Sequence, residues 1–364
     1  MNTAEVIKNC RTLPGVTVKE GEDYLELLLS TQEGNGKMRF FPLFSGITLA
    51  LISVSAPTWP APVLADCAPD ARGPLLLNYC IRGRCELVLN DGRSVFLTAG
   101  HISLTERFAR GEYVYPGRTY EGLELFIDPD SAQNALLRDQ FGLDIAALQA
   151  QYCPDGHTFL AKLPLPDALL DRLRGLNGDA QAEHCIGMKT GTIDLLAQLQ
   201  YRPVAAAPGR LVYYTRSQVE MVRRIEAAIC ENLAQQHTAR EFAACYGISE
   251  SSIKNYFYGV YGQSIAQYTR HLRLLHAAEL LTTTKLPVAE IAGRVGYENQ
   301  SKFSAAFRKK MGVSPPGVPP WTEALQVDAS FLGRRVRVRA ESAASIRCTS
   351  KSPGQHERVD PGGW

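Results

Sequence analysis

One pattern constrains this chain more than any other: a short helix, a glycine turn and a second helix, written twice between residues 217 and 312. In the first copy TAREFAACYG predicts a short helix stopped by Gly247, with Thr238 as N-cap and Glu241 completing a capping box. ISESSIKNYFYGVYG predicts the second helix, entered through Ser249. In the second copy PVAEIAGRVGY ends at Gly296, and ENQSKFSAAFRKKMG follows with Asn299 as its N-cap. Between the copies QSIAQYTRHLRLLHAAELLTTT reads as one long helix, and SQVEMVRRIEAAICENLA forms an amphipathic helix ahead of both. Short helix, glycine-containing turn, second helix is the helix-turn-helix arrangement.

The two copies align element by element. Phe242-Ala243, Gly247, Ile253 and Phe257 match Ile291-Ala292, Gly296, Phe303 and Phe307. The alanine has to be small where the helices cross, and the glycine supplies a left-handed turn conformation. Ile253, Phe257, Phe303 and Phe307 are then the buried faces of the second helices. The opposite faces carry Ser251, Lys254 and Asn255 in one copy and Gln300, Ser301, Lys302 and Ser304 in the other. Short polar groups and cations of this kind suit base edges and phosphates. The helix from Ser264 to Leu281 is long enough, at roughly 27 Å, to act as a strut. It would hold two reader helices about one DNA turn, on the order of 34 Å, apart. Arg308, Lys309 and Lys310 are expected near phosphate, as is Arg270 or Arg273. Residues 216–316 hold 13 lysines and arginines against 8 acidic residues, an excess compatible with a polyanionic partner.

FAACYGISESSIKNYF, YGQSIAQYTRHLRLLHAAELL and IAGRVGYENQSKFSAAFRKKMGVSP together resemble the AraC/XylS family of transcription regulators. GYENQSKFSAAFRKKMG and FYGVYGQSI look most like its siderophore-responsive branch. The resemblance implies that the second helix of each unit reads the major groove, with Ser251, Lys254 and Asn255, then Gln300, Ser301, Lys302 and Ser304, at the base-reading positions. It also implies a small-molecule effector, contact with RNA polymerase, and activation as the usual mode, with repression left open. Asn255 stands where the family often has arginine and Tyr258 where it often has lysine, so first-unit contacts are expected to be weaker or to differ in preference. The family usually closes with P-x-x-Tyr-Arg and a short helix. Here Pro315, Pro316, Pro319 and Pro320 forbid a regular helix. A frame-shifted end or an acquired tail accounts equally for the residues beyond, and either leaves room for impaired or redirected DNA binding.

Ahead of these helices the period is two. ITLALISVS, LLLNYCIRG, RCELVLNDG, RSVFLTAG, HISLTERF, EYVYPG and YEGLELFIDP are short runs punctuated by glycine, asparagine and aspartate, the pattern of an all-β sandwich or barrel. Asn90-Asp91-Gly92 signals a hairpin. LNYCIRGRCELVLNDGRSVFLTAGHISL resembles the β-barrel effector domain of many regulators of the same family. Tyr79, Arg82, Arg84 and Tyr120 either line its pocket or cover a surface. From Ser131 the period becomes helical. Ile193, Leu195, Leu196 and Leu199 in GMKTGTIDLLAQLQ form an apolar stripe, which either joins two copies in a homodimer or packs on its own barrel.

The fold expected is therefore α+β: an N-terminal cupin-like β-barrel with flanking helices over 1–130, and a helical dimerisation or packing segment over 131–202. A linker over 203–216 follows, then an all-α domain over 217–314 with two helix-turn-helix units joined by a long helix, and an atypical tail over 315–364. An enzyme is not expected. His101 has no second histidine near it on its strand, so no metal and no cofactor is predicted. A DNA-repair alkyl acceptor carrying this module would need a Pro-Cys-His-Arg nucleophile motif, and none of the nine cysteines sits in one. Their odd number, without a C-x-x-C pair, reads as free thiols in a reducing compartment. MNTAEVIKNC carries no signal-peptide pattern, and Pro42, Pro57, Pro60 and Pro62 break the most apolar stretch. A cytoplasmic, sequence-specific regulator with double-stranded DNA as partner, and no membrane, is the reading.

Overall fold

The computed structural model describes residues 13–60, 75–89, 91–106, 112–176, 181–202, 204 and 212–318. Its first half is a sheet of nine antiparallel strands in spatial order β1 (Val16–Glu20), β2 (Leu25–Ser30), β3 (Asn35–Phe44), β4 (Ile47–Ser55), β10 (Tyr120–Ile127), β6 (Leu75–Val88), β8 (His101–Thr105) and β11 (Phe159–Lys162), with β7 (Ser94–Thr98) paired to the far end of β6. β5 (Thr58–Pro60) and β9 (Glu112–Val114) make a separate pair. The pairing path is open, ending at β1 and β11, so no closed barrel is formed among the described residues.

The alternation along ITLALISVS puts residues on two buried faces rather than one. Ile47 and Leu49 join Leu123, Leu125, Ile127, Leu75 and Leu77 against the helices. Ile52 and Val54 point the other way, into a second cluster with Leu25, Leu27, Leu29, Met38 and Trp59. β1 and β2 lie in a segment whose mixed polarity gave no strand signal. Leu25, Leu27 and Leu29 bury alternately, but LELLLS is too uniformly apolar on paper to separate period two from period three. β6 is one strand of 14 residues where two were expected. Its register against β10 slips at Ile81, and nearby Gly83 has φ of 89° and lies so close to Thr119 that a Cβ would strike the backbone there. Cys80 and Cys85 accordingly sit on one strand, either side of this irregularity, and not on neighbours. The turn after β6 places Gly92 at φ 78°, while Asn90 lies outside the described residues.

The helices of this half are α1 (Gln133–Phe141), α2 (Ile145–Tyr152), α3 (Asp167–Leu173) and α4 (Gln181–Tyr201). α4 covers the sheet, and the second half follows as α5 (Arg216–Glu231), α6 (Ala239–Tyr246), α7 (Glu250–Tyr261), α8 (Ile265–Thr283), α9 (Val288–Arg294) and α10 (Gln300–Met311). Two cores serve these six helices. One gathers Val222, Ile225 and Ile229 of α5 with Phe242, Ile253, Phe257 and Tyr268. The other gathers Ala277 and Ala278 of α8 with Ile291, Val295, Phe303 and Phe307. α8 contributes to both and so is the shared wall. Most of the stretch read as a linker, Pro203 and 205–211, lies outside the described residues. Pro315–Gly317 is a 3-10 turn whose Pro315 is buried, and Val318 packs on the second core. Residues 319–364 lie outside the described residues.

Candidate nucleic-acid interface

In the first unit the local chemistry dictates each boundary. Thr238 Oγ1 accepts from the Glu241 amide at 3.2 Å, and the Glu241 carboxylate accepts from the Thr238 amide at 3.0 Å, so two orphan amides are satisfied reciprocally. α6 stops at Gly247, whose φ of 64° is left-handed. Ser249 Oγ then accepts from the Ser252 amide and opens α7. Ile253, Phe257 and Val260 point into the core. Ser251, Lys254 and Asn255 lie exposed on the opposite side. The Lys254 ammonium meets the Glu250 carboxylate at 2.6 Å one turn away, and that contact holds the Glu250 carboxyl below its ordinary range. The exposed face of α7 therefore has its cation partly neutralised.

The second unit repeats the geometry with different electrostatics. Ile291 and Ala292 are buried on α9, and the turn passes through Gly296 at φ 82°. A Cβ at Gly296 would sit within 3.0 Å of the Ala234 backbone and of the Arg273 guanidinium, so both conformation and space require glycine. Asn299 Oδ1 accepts from the Lys302 amide at 2.9 Å and caps α10. Phe303 and Phe307 are wholly buried. Gln300, Ser301 and Lys302 are exposed and Ser304 is half-buried on the same helix. Arg308, Lys309 and Lys310 occupy the last turn, where cations are also favoured by the helix dipole. α10 has four cations and no acidic residue, whereas α7 has Lys254 against Glu250.

Of the two arginines, Arg270 or Arg273, expected near phosphate, Arg273 is engaged with backbone carbonyls. Its guanidinium donates to the carbonyls of Leu233 (2.7 Å), Ala234 (3.3 Å) and Gln235 (2.9 Å) after α5, and to that of Gly296 (3.1 Å) in the second unit. It ties the end of the first unit's leading helix to the turn of the second. Arg270, on the same strut, remains exposed. Nothing in residue type separates these two arginines. Only position on the helix does, since Arg273 lies between buried Leu272 and Leu274 and its stem passes over the junction.

The four effector candidates do not converge. Tyr79 faces the helix-covered side and its hydroxyl accepts from the Leu165 amide. Arg82 pairs with Glu121 at 2.8 Å on a half-exposed edge. Arg84 leaves the sheet and donates to the Gly259 carbonyl of α7 at 2.7 Å. Tyr120 alone points into the second cluster of the sheet. There its hydroxyl donates to Asn78 Oδ1 at 2.6 Å and Asn78 Nδ2 donates to Glu124 Oε1 at 2.8 Å. Burial pushes the Glu124 carboxyl up to about 8. Neither Asn78 nor Glu124 stood out in the sequence, because a polar residue in an otherwise apolar strand carries no label of which face it takes.

Leu195, Leu196 and Leu199 are buried in their own chain's core, with Ile193 packed beside them, so this stripe is occupied as the helix sits. His101 Nδ1 lies 3.0 Å from Thr98 Oγ1 and 3.2 Å from the Ala99 carbonyl in the turn between β7 and β8. No cluster of metal-ligating side chains occurs among the described residues. Cys80, Cys85, Cys153, Cys185 and Cys230 carry free thiols, and burial pushes that of Cys80 up to about 12. Cys245 is disulfide-bonded, which departs from the expectation of free thiols throughout. No helix among the described residues is long and apolar enough to cross a membrane.

A family model described as a helix-turn-helix domain matches residues 242–317. The HTH-type transcriptional activator RhaR of Cronobacter sakazakii is 28% identical over 169 residues, covering 40% of this chain and 60% of that protein. RhaR of Mannheimia succiniciproducens is 31% identical over 99 residues, covering 27% of this chain and 36% of its own. The chain thus spans between about a third and three-fifths of the length of these relatives. Among solved structures, the C-terminal domain of AraT, a response regulator from Geobacillus stearothermophilus, is 35% identical, with a TM-score of 0.27, covering 29% of this chain and 89% of that one. With two capped helix-turn-helix units on one strut and these likenesses in sequence, the C-terminal part of the chain is a helix-turn-helix domain similar to those of AraC-type transcription regulators.

Proposed function

We propose that this chain is a sequence-specific DNA-binding transcriptional regulator whose α7 and α10 enter two successive major grooves of one duplex. The observation that carries this reading is the pair of N-capped helices, each buried on an apolar face and exposed on a polar or basic one, braced on a single strut. Base reading falls to Ser251, Lys254 and Asn255 and to Gln300, Ser301, Lys302 and Ser304, with Arg308 and Lys309 on phosphate. Because Lys254 is paired with Glu250 while the cations of α10 have no acidic neighbour on their helix, the second unit supplies most of the electrostatic affinity. The RhaR relatives are named activators, which supports activation over repression; RNA polymerase is the partner an activator of this kind would contact.

The N-terminal sheet is read as a cupin-like effector domain. Its candidate recognition groups are Tyr120 with Asn78 and Glu124 on the interior face, in place of Tyr79, Arg82 and Arg84. A homodimer, if formed, uses a surface other than the buried stripe of α4. The test is selection of duplexes from a random-sequence pool by the full chain, followed by footprinting. Recovery of a bipartite motif spanning about two helical turns supports the reading, and failure to enrich any motif refutes it.

A further inference from the structure

Among the described residues, the hairpin of β6 and β7 meets the first helix-turn-helix unit through a set of specific contacts. Ser94 and Tyr214 exchange both backbone hydrogen bonds, at 2.8 and 2.9 Å, so the residue preceding the Thr215 cap of α5 adds a bridge to the edge of β7. Phe96 of β7 is buried in the core of the first unit, its ring 5.7 Å from that of Tyr214. Glu86 of β6, almost wholly buried, accepts from Arg223 of α5 at 2.5 Å and from Ser94 Oγ at 2.6 Å. Arg84 donates to the Gly259 carbonyl in the last turn of α7, where an arginine also complements the helix dipole. Gly259 is glycine for a visible reason: a Cβ there would collide with the Tyr214 hydroxyl and ring.

We propose that this hairpin is a positioning clamp for the first reader helix: through Arg84, Glu86, Ser94 and Phe96 it fixes the orientation of α7 relative to the N-terminal sheet. The inference rests on the DNA-binding reading above and adds a route by which the sheet and the duplex sense each other. The clamp is not a cover. Tyr214 meets Tyr256 edge-on and lies against Gly259 on one flank of α7. Ser251, Lys254 and Asn255, on the other side, stay exposed with the hairpin docked. A helix held from behind can read DNA while still reporting to the element that holds it. Thermodynamic linkage then requires reciprocity: whatever the duplex does to α7 it does, through these contacts, to β7. None of the four residues acts on a base or a phosphate. Each positions α7 or the helix beside it.

The experiment is amide hydrogen exchange on the full chain, with and without the duplex recovered from the random pool. Bound duplex is expected to slow exchange of β7 amides at least tenfold in the wild type. Glu86→Gln, and independently Arg223→Gln at the more exposed end of the ion pair, should abolish that slowing while exchange in α10 still responds to duplex. The double variant should do no more than either single one, because both remove the same contact. Duplex that binds but leaves β7 exchange unchanged overturns the clamp and spares the DNA-binding reading. So does a slowing that survives in Arg223→Gln. If no duplex binds, both fall.

Discussion

Arg273 on the strut donates to the carbonyl of Gly296, the turn glycine of the second helix-turn-helix unit, at 3.1 Å, while three further carbonyls after α5 share the same guanidinium. A single side chain therefore couples the two helix-turn-helix units. Burial lowers its pKa, but an arginine stays charged throughout, so the coupling holds at any pH at which the fold does.

Arg273→Gln leaves carbonyls without their charged donor and should cost about 1.5–3 kcal/mol of stability, the range for hydrogen bonds to charged groups. Thermal denaturation measures this. The salt dependence of duplex binding should keep its slope, since no phosphate contact is lost. A slope reduced by about one would instead return Arg273 to the phosphate role.

Lys302→Ala should weaken duplex binding, lower the slope of log affinity against log salt by up to about one, and relax preference within one half of the site. Lys254→Ala should change the slope less, because its ammonium is already paired with Glu250. Equal slopes for the two variants would contradict the asymmetry between the units.

Phe303→Ala removes a wholly buried ring from the second core and should destabilise by about 3–5 kcal/mol. Thr238→Ala removes a capping-box hydroxyl at the surface and should cost about 1 kcal/mol. Comparable losses in chemical denaturation would mean that Phe303 is not the core residue its burial makes it.

Glu124 makes the sheet's stability depend on pH. Its carboxyl titrates near 8 when folded and at its ordinary value, near 4.5, when unfolded. Below both values the proton is held in both states and nothing is lost. As pH rises from about 4.5 to about 8 the unfolded chain releases the proton while the folded chain keeps it. Stability then falls, with a slope approaching about 1.4 kcal/mol per pH unit, and levels off above. Glu124→Gln keeps an acceptor for Asn78 and should flatten this fall, raising the melting temperature at neutral pH more than at pH 4. A melting profile against pH that is the same in both proteins would exclude a neutral buried carboxyl.

Much of the helical half was legible because its signals are local. Thr238, Ser249 and Asn299 cap the helices they were expected to cap, and Gly247 and Gly296 sit at the left-handed turns. Capping and glycine turns depend on residues within one turn of each other, and the aromatic spacing of Phe303 and Phe307 shows directly which face is buried. What stayed hidden depends on distant chain. β6 runs through Gly83, where Thr119 approaches too closely for a side chain, and Arg84 and Arg273 act at carbonyls 175 and up to 40 residues away. Leu195, Leu196 and Leu199 show the same limit. An apolar stripe announces burial, and only the position of the sheet tells which surface buries it.

The most direct measurement is a footprint of the full chain on its selected duplex at two salt concentrations. Two protected stretches centred about one helical turn apart on one face of the DNA, weakening steeply with salt, are what two braced reader helices predict. One protected stretch, unaffected by Lys302→Ala, would contradict the account.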